Sequence, residues 1–214
     1  MDAHQAVRDV DGAMPETPFA RPEGSLLVMV GLPGTGKSMI VERLIEFIPA
    51  AVIGTDTVRR YMRQFPTYTA AEMMFVYQVC HQVIERRLNR GQRVIFDGTN
   101  HAAARRQQLF EIARKHNAPL AVCQVQASEE VIRQRLMTRK SGDRRDGDMS
   151  DAGWSVYQWM VSAQEPIVHD HLILDTTNSP ADQLAHRLGE YWLGIEQEAG
   201  GDGPAANGQE SSKF

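Results

Sequence analysis

The sequence predicts an α/β domain built on a doubly wound, parallel, five-stranded sheet. Two observations carry that expectation. Short apolar runs alternate with longer segments of helical period along residues 25–198, the signature of a parallel sheet covered on both faces. The first apolar run ends in a glycine-rich turn, Gly31 to Ser38, which leads directly into an amphipathic segment. A chain of 214 residues is long enough to bury one such core.

Each element has its own signal. Ser25 to Val30 is an apolar run of strand length that stops at Gly31. Residues 37–48 follow as a helix with Ile40, Leu44, Ile45 and Ile48 on one stripe, and Ala51 to Gly54 makes a second strand just before Asp56. Thr69 and Glu72 have capping-box spacing and open a long helix whose apolar face runs through Met73, Tyr77, Cys80, Ile84 and Leu88 until Gly91. Arg93 to Phe96 is the third strand and ends at Asp97; Asn100 caps the helix carrying Leu109, Ile112 and Ala113. Leu120 to Val125 is the fourth strand, and Ser128 caps a helix with Glu129 and Glu130 at its positive end. A polar loop covers residues 140–149, then Ser150 caps a helix that stops near Pro166, with Trp154 and Tyr157 inward and Trp159 near the edge. His171 to Leu174 is the last strand, and Ser179-Pro180 opens a final helix with Leu184, Leu188, Tyr191 and Ile195 on one face. Residues 1–24 and 199–214 lack periodicity and read as loose tails around a domain at 25–198.

Composition narrows the functional classes. A net charge of −4 argues against a dedicated nucleic-acid surface. Cys80 and Cys123, without Cys-x-x-Cys spacing, read as buried reduced thiols, which points to the cytoplasm. The most apolar run, Leu26 to Val30, is far too short to span a bilayer, so no membrane partner is expected. His169 and His171 flank Asp170 without a matching third ligand and read as structural.

The turn Gly31-Leu32-Pro33-Gly34-Thr35-Gly36-Lys37-Ser38 fits the phosphate-binding pattern Gly-x-x-x-x-Gly-Lys-Ser/Thr. Its glycines let successive backbone N–H groups face phosphate oxygens, and the helix that follows presents its positive end to the same anion. Lys37 supplies charge to the β and γ phosphates, and the Ser38 hydroxyl reaches magnesium. Asp97, at the end of the Val94-Ile95-Phe96 run, resembles a Walker B acid that supports the same ion. The implied cofactors are ATP and Mg2+.

Three further features bear on where the phosphate goes. Asp56 follows a strand end, where ligands gather in open α/β sheets, and can accept a proton from an attacking hydroxyl; as a helix cap it would do nothing chemical. Arg59, three residues on, can clamp an anionic part of an acceptor or remain a surface side chain. Arg135, Arg139, Arg144 and Arg145 cluster at a helix end and in the loop after it. Arginine forks there suit a mobile lid over a transferring phosphoryl group, with Arg139 first and Arg144 second; the bland alternative is a solvated basic face.

Taken in order, these motifs resemble the small P-loop kinases grouped with polynucleotide 5′-hydroxyl kinases. The resemblance covers residues 25–175. Besides the phosphate loop, Asp56, Arg59 and Gly91, it includes Val-Ile-Phe-Asp-Gly-Thr-Asn at 94–100, Arg105 and Arg106, Arg135 and Arg139, Ser-Asp-Ala at 150–152 and Gln-Glu-Pro at 164–166. It implies a kinase-type P-loop NTPase fold with a helical lid. It also implies Asp56 as general base, Arg59 on the acceptor's phosphate and Arg139 on the phosphates of ATP. The expected activity is transfer of the γ-phosphate of ATP to a hydroxyl. A small-molecule acceptor is favoured over a nucleic-acid 5′-hydroxyl, and an ATP-binding regulatory module without a dedicated acceptor is the alternative.

Overall fold

A computed structural model describes residues 2–62, 69–140 and 152–201. Among these, five strands form one all-parallel sheet in the order β2-β3-β1-β4-β5: β1 (Ser25–Val30), β2 (Ala51–Gly54), β3 (Arg93–Asp97), β4 (Leu120–Gln126) and β5 (Leu172–Asp175). The strand order reverses between β3 and β4, on either side of β1. That switch point opens a crevice at the carboxyl ends of the strands. Every residue of β1 is buried, because both faces of the central strand are covered.

Alternation along β1 divides the core in two. Leu26, Val28 and Val30 face a layer made by α1 (Ala3–Ala13), α3 (Thr55–Met62), α4 (Ala70–Asn89) and α5 (Ala103–Lys115). Leu27 and Met29 face α2 (Lys37–Leu44) and α8 (Ala181–Gly201). A smaller cluster of Leu32, Ile132, Leu136 and Tyr157 joins the glycine-rich turn to α6 (Glu129–Lys140) and α7 (Trp154–Ala163). Trp154 stacks on Tyr157 with ring centroids 4.9 Å apart, while Trp159 is 60% exposed, as their spacing led us to expect. Both cysteines are free and buried, and burial pushes the Cys123 thiol up to about 12. His171 is hydrogen-bonded to the His169 carbonyl and lies 3.2 Å from the Gln124 side chain.

Several local expectations need correction. Residues 3–13 are not loose: they form α1, which lays Ala6, Val7 and Val10 against the α3–α4 layer. The physical reason is a buried ion cluster that short-range pattern cannot reveal. Asp11 accepts from Arg87 Nε at 2.6 Å and Arg90 Nη2 at 2.8 Å, and its own carbonyl accepts from Arg87 Nη2 at 2.6 Å. Asn100 does not cap α5, which begins after Ala102; its amide donates to the Met29 carbonyl instead. Helix α2 stops at Leu44, short of Ile48. Helix α7 starts after Gly153, downstream of Ser150, which lies outside the described residues, as do the loop at 141–149 and the end of the chain from 202.

Gly91 ends α4 as expected, and its backbone shows why glycine stands there. Its φ is +71°, and a Cβ would collide with the Phe19 ring and come within 2.6 Å of the Arg21 carbonyl. Its own carbonyl accepts from Ala20 and Arg21, tying the segment after α1 to the α4–β3 turn. Gly91→Ala combines left-handed strain with a steric clash, so a loss of about 1–3 kcal/mol is expected in urea unfolding.

Candidate functional site

The phosphate loop lies at the switch point, between the end of β1 and the start of α2. Its last glycine, Gly36, is the N-cap of α2 with φ +93°, a left-handed residue that turns the loop abruptly into the helix. Lys37 is folded back: its ammonium donates to the carbonyls of Gly31 at 2.7 Å and Leu32 at 3.1 Å. Thr35 Oγ1 closes the turn on the Leu32 carbonyl at 2.8 Å. Pro33 and Gly34 form its tip, where the Gly34 carbonyl accepts from Arg135 Nη1 at 3.1 Å. The start of the loop is fastened to the neighbouring strand end, Gly31 N–H donating to the Thr99 carbonyl at 3.0 Å.

Ser38 and Asp97 lie side by side. The Ser38 hydroxyl donates to Asp97 Oδ2 at 2.7 Å, placing a hydroxyl and a carboxylate side by side at the helix start. These are hard oxygen donors of the kind magnesium takes, so the residues fit that ion. Gly54 is in register with Asp97, which puts Asp56, in the first turn of α3, at the same carboxyl edge of the sheet.

Asp56 and Arg59 are joined directly: Arg59 Nη1 donates to Asp56 Oδ1 at 2.6 Å. Arg59 differs from an outward-facing acceptor clamp. Its side chain is only 3% exposed, and its Nε lies 3.1 Å from Oε1 of Glu72, itself 5% exposed. One buried guanidinium thus bridges two carboxylates from two helices, and Asp56 remains the half-open member of the three. Glu72 also departs from its expected part. Thr69 Oγ1 accepts from the Glu72 N–H, forming one half of a capping box, but the Glu72 carboxylate goes to Arg59.

Of the four arginines that the sequence offers for a lid, Arg135 is a brace. Besides Gly34, it donates to Thr176 Oγ1 at 2.9 Å and the Thr176 carbonyl at 3.0 Å, and Thr176 Oγ1 donates to the Thr35 carbonyl at 2.7 Å. Helix α6, the phosphate loop and the end of β5 are locked through these two side chains. Thr176 carried no motif; its only signal was its place just past a strand's carboxyl end. Arg106 braces similarly, donating to the carbonyls of Asn100 and His101 at 2.9 Å and Glu165 at 3.1 Å, and to that of Pro166. Arg139 is on the last turn of α6, and the placement of its side chain, like Arg144 and Arg145, falls outside the described residues.

Comparison with known proteins agrees with this layout. Residues 26–167 match the family model described as an AAA domain. Uncharacterized proteins of Mycobacterium tuberculosis and Mycobacterium bovis are 28% identical over 130 residues, 55% of this chain and 26% of theirs. The chain therefore spans about a quarter of the length of these curated relatives. Among solved structures, the APS kinase CysC of Mycobacterium tuberculosis, in complex with AMPPNP and APS, superposes with a TM-score of 0.61 at 15% identity, covering 82% of this chain and 99% of that one. Chaetomium thermophilum Kti12 in complex with ADP-AlF3 gives 0.61 at 21% identity over 78% and 99%. A gluconokinase from Sinorhizobium meliloti gives 0.55 at 21% over 85% and 97%. This chain belongs to the AAA domain family, and its five-stranded parallel sheet is the P-loop fold of these kinase neighbours.

Proposed function

We propose that the protein is an ATP- and magnesium-dependent phosphotransferase that moves the γ-phosphoryl group of ATP to a hydroxyl of a small-molecule acceptor. The observation that carries this reading is the convergence of three parts on one sheet edge: the phosphate loop, the Ser38–Asp97 pair and the Asp56 carboxylate. Loop amides and Lys37 would take the phosphates, the ammonium exchanging its carbonyl partners for phosphate oxygens. Ser38 and Asp97 would hold magnesium, which supplies charge neutralisation at the phosphates.

Asp56 would accept the acceptor's hydroxyl proton. The new oxygen–phosphorus bond forms as the bond from the γ-phosphorus to the β,γ-bridging oxygen breaks, and ADP leaves. Arg59 orients Asp56 through their 2.6 Å contact. Arg139 and Arg144 would close from the lid over the ATP phosphates. The order of motifs from Gly31 to Arg139 favours the polynucleotide 5′-hydroxyl-kinase-like group. The net charge of −4 favours a small acceptor over a polynucleotide. The buried thiols suit a reducing, cytoplasmic setting.

The alternative is a regulatory ATP-binding module, and the internal neutralisation of Arg59 favours it over a site with an open acceptor clamp. A screen of hydroxyl compounds with γ-labelled ATP separates the two. A labelled product from at least one compound is expected; ATP hydrolysis with no labelled product from any acceptor supports the module instead.

A further inference from the structure

With Arg59 enclosed between Asp56 and Glu72, the arginine next in line on the same side of the sheet is Arg105. It stands on the first turns of α5, after the β3 end that carries Asp97. Its guanidinium lies over the Tyr77 ring, 4.1 Å from the centroid, and no carboxylate pairs with it among the described residues. Tyr77 in turn is buried on α4 against Phe96 of β3. Burial pushes its phenol up, opposed by the charge of Arg105, and it also feels Arg59 and Asp56. Arg59 Nη2 also lies 2.8 Å from Met73 Sδ, and Met73 stands one turn before Tyr77 on α4, so one helix carries both a partner of Arg59 and the ring beneath Arg105.

Tyr77 and Arg105 border a groove between α4 and α5 of about 280 Å³, whose lining includes Met74, His81 and three glutamines. Gln78, Gln82 and Gln108 set three amides beside the apolar Met74. His81 adds a buried Nε2 without a hydrogen-bond partner, and burial, then Arg105, hold the imidazole toward its neutral form. Glu85, the groove's acidic residue, is occupied by Lys115 at 3.0 Å. The groove thus offers one uncompensated positive charge, neutral donors and acceptors, and no competing free carboxylate. A fork-shaped cation held over an aromatic ring is pre-organised for a carboxylate or phosphate.

We propose that this groove seats the acceptor, and that the acceptor is a small polyhydroxylated molecule bearing an anionic group held by Arg105. The proposal rests on the phosphotransferase reading. The glutamine amides and His81 would pair with the acceptor's polar body, leaving a hydroxyl directed toward Asp56. Arg105, not Arg59, would then select for charge.

The test sets glycerol 3-phosphate, ribose 5-phosphate and gluconate against glycerol, ribose and glucose. Each is assayed for phosphorylated product and, with a non-hydrolysable ATP analogue and magnesium saturating the nucleotide site, for binding by calorimetry. Wild type, Arg105→Gln and Arg105→Lys are compared after thermal melts confirm folding. The expected result is preference for the anionic member of a pair. Arg105→Gln should raise the acceptor KM by about tenfold or more, as for loss of a charge-assisted pair, with the KM for ATP unchanged and Arg105→Lys intermediate. Product from neutral compounds at rates equal to the anionic ones, with Arg105→Gln behaving as wild type, overturns the groove and leaves the kinase standing. Arg105-dependent binding without any product overturns the kinase and leaves an anion-binding groove. Neither binding nor product overturns both.

Discussion

Asp56→Asn is expected to lower phosphoryl transfer by about 10²- to 10⁴-fold, the range for losing a general base, while ATP affinity is unchanged. The substitution keeps the size of the side chain and its capacity to accept one bond from Arg59, but removes the proton acceptor. ATP affinity is preserved because the nucleotide meets the loop between β1 and α2, whose contacts with Thr99, Arg135 and Thr176 do not involve Asp56. Single-turnover transfer to an acceptor found by the screen, paired with calorimetric ATP binding, measures both quantities. Transfer that survives the change at wild-type rate removes Asp56 from the chemistry. Equal loss of ATP binding and transfer would instead mean that α3 supports the nucleotide site structurally.

The second large effect concerns stability. Asp11→Ala should cost about 3–5 kcal/mol in urea unfolding, because it removes the one buried carboxylate paired with the fully buried Arg87 guanidinium. Arg87 would retain the carbonyls of Asp11 and Pro15, the Gln92 side chain and a longer, 3.6 Å contact with the exposed Glu16 carboxylate. The double change Asp11→Leu with Arg87→Met should cost much less than the sum of the single changes, since no buried charge is left unpaired. Additive losses would show that α1 is held by its apolar face alone.

Much of the fold could be read because its signals are local. A buried parallel strand such as Leu26 to Val30 shows in five consecutive side chains, and the eight residues from Gly31 carry the loop's geometry with them. The Ser38–Asp97 pair was also legible, since each residue belongs to a motif with a fixed place at a strand end. What escaped depends on distant partners. Helix α1 shows only Ala6, Val7 and Val10 as an apolar stripe among charges, and its helical state depends on arginines near residue 90. Glu72 has a local assignment by spacing, and only the approach of α3 to α4 redirects its carboxylate to Arg59. Arg135 belonged to an arginine cluster suited to a lid, but Thr176, 41 residues away, makes it a brace.

The cluster around Asp11 also sets an order of events during synthesis. Asp11 and Arg87 are 76 residues apart, and the strand that follows α4 is further still. At roughly 5–20 residues per second, α1 leaves the ribosome some 4–15 s before its partner exists. Through that interval Val7 and Val10 have nothing to cover them, and the helix is too short to persist alone. Helix α1 is thus made well before the arginine that fixes it, and it can be held against α4 only once Arg87 has been made.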